Sequence, residues 1–288
     1  MYLDNIQEKL DKMVNLKKDH NYLNYNLGQL FELTTYSGVW ELKFRDKNFK
    51  MINITNDDLV VLKYFWRDEY ERLSLELWYQ FTREVDAFHF DIGAHTGIYT
   101  IIANLNKKEN NIISLEPYYL NYSRMLSNLK LNLINVDNAF LLAASNNKGV
   151  AKFRTETHIS RHTSGGSIQN EGNHQIKTIK LDDFKVGDKK IGAIKIDTEG
   201  HEYEVLQGSE DIIKKFRPNI IFEINKNSAQ NCLDYLSRYN YKFFLIKDDE
   251  YKLVPMNETQ KIELKKEGIN CLATSFSIED KSIIQNYV

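Results

Sequence analysis

The sequence predicts an α/β fold: a mostly parallel sheet with helices on both faces. Three observations carry this. From residue 86 onward, short apolar runs alternate with stretches of helical periodicity, the pattern of successive βαβ units. The run Phe88-His89-Phe90-Asp91-Ile92 ends in an acid and passes through Gly93, Ala94, His95, Thr96 and Gly97 into the helical stretch Ile98 to Leu105. A second junction of the same kind runs from Gly192 to Glu202, where Ala193-Ile194-Lys195-Ile196 meets Asp197, Thr198, Glu199, Gly200 and His201.

Strands are expected at Ala87–Ile92, Asn111–Leu115, Ala139–Leu142, Ala193–Ile196, Asn219–Glu223, Tyr241–Ile246 and Cys271–Ser275, with helices at Ile98–Leu105, Leu120–Asn132, Glu202–Gln207 and Ala229–Arg238. Between the third and fourth strands, Val150–Arg154 and Gln175–Ile179 alternate around a polar loop, His158 to Gly172. That is an inserted β-hairpin beside the ligand edge, and loops of that length are often functional. Its Ser164-Gly165-Gly166-Ser167 tip is placed to fold over a substrate or to stand free in water. Upstream, Leu3, Ile6, Leu10, Met13 and Leu16 form one helical stripe, and Tyr22 to Leu33 a second, shorter pattern. Val39–Phe44 and Phe49–Ile54 alternate around Arg45-Asp46-Lys47-Asn48, a hairpin signal. Asn56-Asp57-Asp58 offers helix caps, and Leu73, Leu77, Trp78 and Phe81 fall at helical spacing. Residues 1–85 therefore read as an accessory cap of helices and a β-hairpin, and residues 86–288 as the ligand-binding domain.

The 288 residues carry 42% hydrophobic and 27% charged side chains and a net charge of −2, ordinary for a globular protein. A dedicated nucleic-acid binder would show a basic face, so no nucleic-acid partner is expected. Cys232 and Cys271 have no metal-ligand spacing and give no disulfide framework, which points to a reducing, cytoplasmic compartment. The first ten residues are too charged for a signal peptide, and no apolar run approaches the roughly 20 residues a membrane span needs. The stripe on residues 1–35 would pack on the main domain or on a second subunit.

The chemistry lies at the strand ends. Glycines let backbone approach a ligand closely, and open α/β sheets bind ligands where a parallel strand gives way to its helix. Glu116, at the end of Ile112-Ile113-Ser114-Leu115, follows Gly93 by 23 residues. An acid about 20 residues beyond the glycine turn commonly grips ribose hydroxyls, so a nucleoside-containing cofactor is expected. The dinucleotide pattern GxGxxG fails because His95 stands two residues after Gly93, and Asp91 would repel a phosphate. S-adenosylmethionine has no phosphate; it carries a sulfonium, an α-amino group and ribose hydroxyls, and suits an acid-bearing loop. Asp91, Glu116, Asp197 and Glu223 all fall at strand ends on one edge.

These segments resemble the FkbM-type S-adenosylmethionine-dependent methyltransferases, a class I family. The matching stretches are FDIGAHTGIYT at 90–100, ISLEPYYLNYSRMLSNLKLN at 113–132, AFLLAASNNKG at 139–149, IKTIKLDDF at 176–184, IKIDTEGHEYEVLQGSEDII at 194–213 and RPNIIFEIN at 217–225. The fifth is the most specific. Residues 1–60 show no match, and His95 stands where the family usually has asparagine. The resemblance implies a Rossmann-like, seven-stranded class I fold. It implies that Asp91, Gly93 and Gly97 surround the methionine part of the cofactor, with Ala94, His95, Thr96, Tyr99 and Asp197 also among the cofactor-binding residues. Glu116 would bind the ribose, with Pro117 also among the cofactor-binding residues, and Ala143, Ala144 and Ser145 would lie near the adenine. It implies O-methylation of a hydroxyl on a sugar, glycan or related small molecule.

Methyl transfer needs alignment and an activated acceptor. His201 is the expected base because histidine titrates near neutrality, with Glu199 and Asp197 to orient it or act instead. His89, inside a strand, reads as a core residue; His158, His162 and His174 belong to the insertion. An alternative has Mg²⁺ held by Asp197 and Glu223, with Asn225 nearby, to lower a hydroxyl pKa. Two rival classes stand beside these: an NAD-dependent oxidoreductase, disfavoured by the missing GxGxxG, and a non-catalytic module acting through the N-terminal helices. Within methyltransferases a protein or nucleic-acid acceptor is a further alternative.

Overall fold

The computed structural model describes residues 2–19, 22, 24–33, 37–83, 86–105, 111–155, 166–169, 171–225, 228–256 and 268–275. The extension consists of α1 (Tyr2–Asp19), α2 (Leu27–Phe31), the hairpin β1 (Gly38–Phe44) and β2 (Lys47–Asn53), α3 (Leu59–Arg67) and α4 (Arg72–Phe81). Then come β3 (Ala87–Ile92), α5 (Ile98–Asn104), β4 (Ile112–Leu115), α6 (Tyr119–Leu131) and β5 (Ala139–Phe140). The insertion holds β6 (Ala143–Ala144), β7 (Gly149–Arg154), β8 (Ser167–Ile168) and β9 (His174–Ile179). The chain continues with β10 (Lys190–Ile196), α7 (Glu202–Gln207), α8 (Glu210–Phe216), β11 (Asn219–Ile224), α9 (Ala229–Ser237), β12 (Lys242–Lys247), β13 (Lys252–Pro255) and β14 (Ile269–Thr274).

The main sheet has the order β13-β12-β14-β11-β10-β3-β4-β5. From β5 to β11 all pairings are parallel, while β14 runs antiparallel to both β11 and β12. The seven expected strands are present, and β13 adds an eighth at the edge, antiparallel to β12. The expected strand Ala139–Leu142 ends at Phe140, because the chain then leaves the sheet: Ala143–Ala144 pairs with β9 in a separate four-stranded sheet. Within that sheet β7 and β9 form the expected inserted hairpin. The chain leaves β3 for β4 on one side and returns to β10 on the other. The carboxyl end of β3 is therefore the topological switch point, where open α/β sheets form a ligand crevice.

Apolar packing covers both faces. On one, Phe90, Ile92, Ile194, Ile196, Ile220 and Phe222 pack with Val205, Ile213 and Leu236 of the α7–α9 side. On the other, Ala193, Ile221 and Ile101 share a cluster with Met13, Trp40, Trp66 and Trp78 of the extension. Strand side chains alternate between faces, so the paired residues Ser114, Asp91, Lys195 and Ile221 lie in a row on the extension side.

Local chemistry fixes the extension. Asp58 caps α3, its Oδ1 accepting from the Val60 and Val61 amides at 2.9 and 3.3 Å. The hairpin buries Trp40, Leu42, Phe44, Phe49 and Met51 on alternate positions. Asn128 of α6 stitches it to the glycine turn: its Oδ1 accepts from Ile52 N at 2.8 Å, and its Nδ2 donates to the Thr96 carbonyl at 2.8 Å. His89 is fully buried near Trp78, as a core histidine, and Gly192 leaves room for its ring. Cys232 and Cys271 are free and buried. Among the described residues no helix is long and apolar enough to cross a membrane.

Candidate active site

A cavity of about 260 Å³ opens at the carboxyl ends of β3, β4, β10 and β11. Of the residues expected there, Asp91, Gly93, Ala94, His95, Tyr99, Glu116, Pro117, Ala143, Ala144, Asp197, Glu199, His201 and Glu223 all border it. Thr96, Gly97, Ser145 and Asn225 do not line it. Thr96 is buried under the turn, and Gly97 (φ +96°) backs onto Met125. The insertion contributes Phe153, Gly166 and Ile168 to the wall. His158, His162, Ser164 and Gly165 lie outside the described residues; His174 contacts Thr155 through Nε2 at 3.2 Å.

The glycine turn is shaped by the protein itself. Gly93 has φ +74°, and a Cβ there would fall 1.8 Å from the Asp197 carbonyl oxygen. The expectation that this glycine makes room for a ligand thus gains a more immediate cause: the two strand ends meet at Gly93. The Asp197 amide donates to the Ile92 carbonyl at 3.0 Å, and the Gly93 and Ala94 amides donate to Leu115 O at 2.9 and 3.0 Å.

The acids differ in what holds them. Glu116 is 5% exposed. Its Oε2 accepts from His95 N at 2.8 Å and its Oε1 from Tyr118 N at 2.9 Å. Burial nevertheless pushes its pKa up to about 8, against the pull of those two amides. Burial also raises Asp91 to about 6, opposed by the hydroxyl of Thr100, which donates to Oδ2 at 2.6 Å, and by Lys195. Glu223 rises to about 8 through burial and the nearby charges of Asp197 and Glu199. His95 presents a buried Nε2 that has no hydrogen-bond partner.

His201 is held by different groups from those expected. Its Nε2 hydrogen-bonds Ser145 Oγ at 3.0 Å, and its Nδ1 lies 3.5 Å from Glu204 Oε2. Orientation thus comes from Ser145 and Glu204 rather than from Asp197 or Glu199. Burial pushes the His201 pKa down, with Glu204 opposing. Glu202 anchors the loop instead: its Oε1 accepts from Thr198 N, Thr198 Oγ1 and Gly200 N at 3.0–3.1 Å.

Sequence reasoning missed Lys63, Tyr70, Glu71 and Lys195, all of which border the cavity. Lys195 is 1% exposed. Its Nζ donates to Asn270 Oδ1 at 2.9 Å and Asp197 Oδ2 at 3.3 Å, and sits 5.0 Å over the Tyr99 ring. Burial alone would lower its pKa, yet Asp197, Glu71 and Glu223 hold it above the usual lysine value. A lysine inside an apolar parallel strand was the readable signal; Glu71 had none.

The Mg²⁺ alternative does not fit this donor set. Lys195 already neutralises Asp197, and among the described residues no three histidine, cysteine or carboxylate side chains converge as metal ligands.

The model of the methyltransferase FkbM domain matches residues 91–243, just over half the chain. No curated protein matches. Among solved structures, the methyltransferase FkbM from Methylobacillus flagellatus KT is 15% identical at a TM-score of 0.41. The similarity covers 74% of this chain and 52% of that one, so this chain spans about half its length. TYW2 from M. jannaschii, solved with AdoMet, is 12% identical over 84% of this chain and 87% of its own, at a TM-score of 0.40. The Pyrococcus abyssi tRNA (uracil-54, C5)-methyltransferase, solved with S-adenosyl-L-homocysteine, is 9% identical at a TM-score of 0.43, over 82% of this chain and 43% of that one. The match runs from Asp91, at the tip of the switch-point strand, through the glycine turn, Glu116 and the Asp197–Glu202 junction: the chain belongs to the FkbM methyltransferase family.

Proposed function

We propose that this protein transfers the methyl group of S-adenosylmethionine to a hydroxyl of a sugar, glycan or related small molecule. The observation that carries the cofactor is the charge of the cavity wall. Six acids line it (Glu71, Asp91, Glu116, Asp197, Glu199 and Glu223) against two lysines, Lys63 and Lys195, and even with the protons that Glu116 and Glu223 keep below about pH 8 the acids outnumber the lysines. Such a wall favours a cation and repels phosphate, which suits S-adenosylmethionine and counts against a dinucleotide. S-adenosylmethionine supplies a methyl group made electrophilic by its sulfonium.

The chain's own residues would do the rest. Glu116, fixed by two amides, offers its remaining lone pairs to the ribose hydroxyls. Asp91 and the glycine turn face the methionine part, with the unpartnered Nε2 of His95 available to a polar group of the ligand. Ala143 and Ala144 give a flat apolar wall for the adenine. Asp197 accepts the acceptor's hydroxyl. His201, kept neutral by burial, takes the proton once Ser145 turns its hydroxyl aside, with Asp197 and Glu199 as the other bases in reach. A positioned base contributes about 10²–10⁴-fold, and alignment supplies the larger share.

Calorimetric titration with S-adenosylmethionine and S-adenosylhomocysteine tests the cofactor, and transfer of labelled methyl to neutral sugars and glycans tests the acceptor. Micromolar binding with label appearing on a sugar supports the reading. Binding of NADH in place of either ligand would overturn it.

A further inference from the structure

We infer that Glu71, supplied by the N-terminal extension, is a binding residue for the α-ammonium of the cofactor's methionine end, and that Lys195 is the positioning residue that aims it. The inference rests on the S-adenosylmethionine reading above.

Glu71 occupies the N-cap position of α4, where an acidic side chain normally accepts the free amides of the first turn. Here it makes no capping bond. Its backbone sits at φ +43°, a left-handed conformation disfavoured for a side-chain-bearing residue and retained where the surroundings enforce it. The carboxylate turns to the cavity instead. Its Oε2 accepts from the hydroxyl of Tyr99 and from Asn270 Nδ2, the latter at 3.0 Å. Tyr99 belongs to α5, the helix that the glycine turn opens, so Glu71 stands on the side of the cavity assigned to the methionine end.

The support behind Glu71 is continuous. Asn270 also accepts from Lys195 Nζ and donates to Ser74 Oγ at 3.1 Å. Ser74 is in turn held by Asp248 through its amide and hydroxyl, at 2.8 and 2.9 Å. Lys195 is thus one buried ammonium paired with Asp197 and tied to Glu71 through Asn270. A single cation between the carboxylates of Glu71 and Asp197 leaves an excess of negative charge facing the cavity, and an incoming ammonium is what that excess fits. Buried ion pairs contribute little net stability against an apolar replacement, which argues for a binding role over a purely structural one.

The test compares S-adenosylhomocysteine with 5′-methylthioadenosine, which keeps the adenosine and lacks the amino-acid head. Calorimetry is run on wild type, Glu71→Gln and Lys195→Met, with thermal melts alongside. Glu71→Gln is expected to weaken S-adenosylhomocysteine about ten- to a hundredfold, the range for a charged hydrogen bond, and to leave 5′-methylthioadenosine within about twofold. Lys195→Met is expected to show the same selectivity, and Glu71→Asp to recover part of the loss. An equal loss for both ligands, or no loss for either, overturns the inference. Failure of the wild type to bind either ligand defeats the cofactor reading itself.

Discussion

Glu116 gives the sharpest test of the cofactor site, because its two proposed states differ by one proton. Burial holds its pKa at about 8, although two amides favour the anion. Ribose hydroxyls donate to a carboxylate, so binding selects the ionised form and must expel the proton. Affinity then rises with pH until the folded pKa is passed. The apparent dissociation constant scales as 1 + 10^(8 − pH), which between pH 6.5 and pH 9 is a factor of about 30, or about 2 kcal/mol. Asp91, raised to about 6, adds its own slope only below this window. The assay is calorimetry with 5′-methylthioadenosine, whose missing amine removes the ligand's own titration, in buffers of different ionisation enthalpy. At pH 7 close to one proton should be released per ligand bound. Glu223 titrates in the same range, so Glu116→Gln is the control: it should bind weakly and with no pH slope. A flat wild-type profile, or a slope that survives Glu116→Gln, would refute the reasoning. The sign for stability is opposite. A carboxylate whose folded pKa is raised keeps its proton when the unfolded chain has lost it, so the unliganded protein loses stability as pH rises from about 4.5 to about 8, and Glu116→Gln should flatten that decline in thermal melts.

Gly93→Ala places a Cβ against the Asp197 carbonyl at φ +74° and should cost about 3 kcal/mol or more, read as a melting temperature lower by roughly 10 °C. Gly200 also has positive φ, but a Cβ there meets nothing, so Gly200→Ala should cost only about 1 kcal/mol; equal losses would contradict the clash argument. Asn128→Ala removes both the Ile52 and Thr96 contacts from a fully buried position and should destabilise by about 2–4 kcal/mol in urea titrations. His201→Ala should leave S-adenosylhomocysteine affinity within about twofold while slowing methyl transfer about 100-fold or more; a parallel loss of binding would assign His201 to cofactor binding instead.

The fold was legible because a buried parallel strand is a continuous apolar run, and the junctions at Gly93 and Gly200 punctuate those runs. What escaped has physical reasons. The strand Lys252–Pro255 is four residues long, pairs on one side only and ends in proline, a composition that signals an edge or no strand at all. Helix Glu210–Phe216 carries acids in its first turn and lysines in its last, but seven residues give too little periodicity to separate it from the helix before it. The break after Phe140 was hidden because Leu141, Leu142, Ala143 and Ala144 continue the apolar run, and only pairing with β9 shows that the last two serve another sheet.

The site divides along the same line. In a two-residue repeat, every second residue of neighbouring parallel strands shares a face. Asp91, Lys195 and Ser114 are register partners, and two positions further along the same face come Gly93, Asp197 and Glu116. Sequence alone could therefore place the strand-tip acids side by side, and it could have flagged Lys195, the one basic residue in that buried row. It could not supply Glu71. That residue reaches Asn270 across 199 positions, and its side chain faces the cavity because the extension's apolar cluster, from Trp40 and Trp66 to Trp78, packs onto the same face of the sheet that carries the acids. The packing that seats the extension is also what brings a sixth acid to the cavity. An extension with no motif of its own thereby becomes part of the site, and its contribution is set by the shape of the core beneath it rather than by any local signal around residue 71.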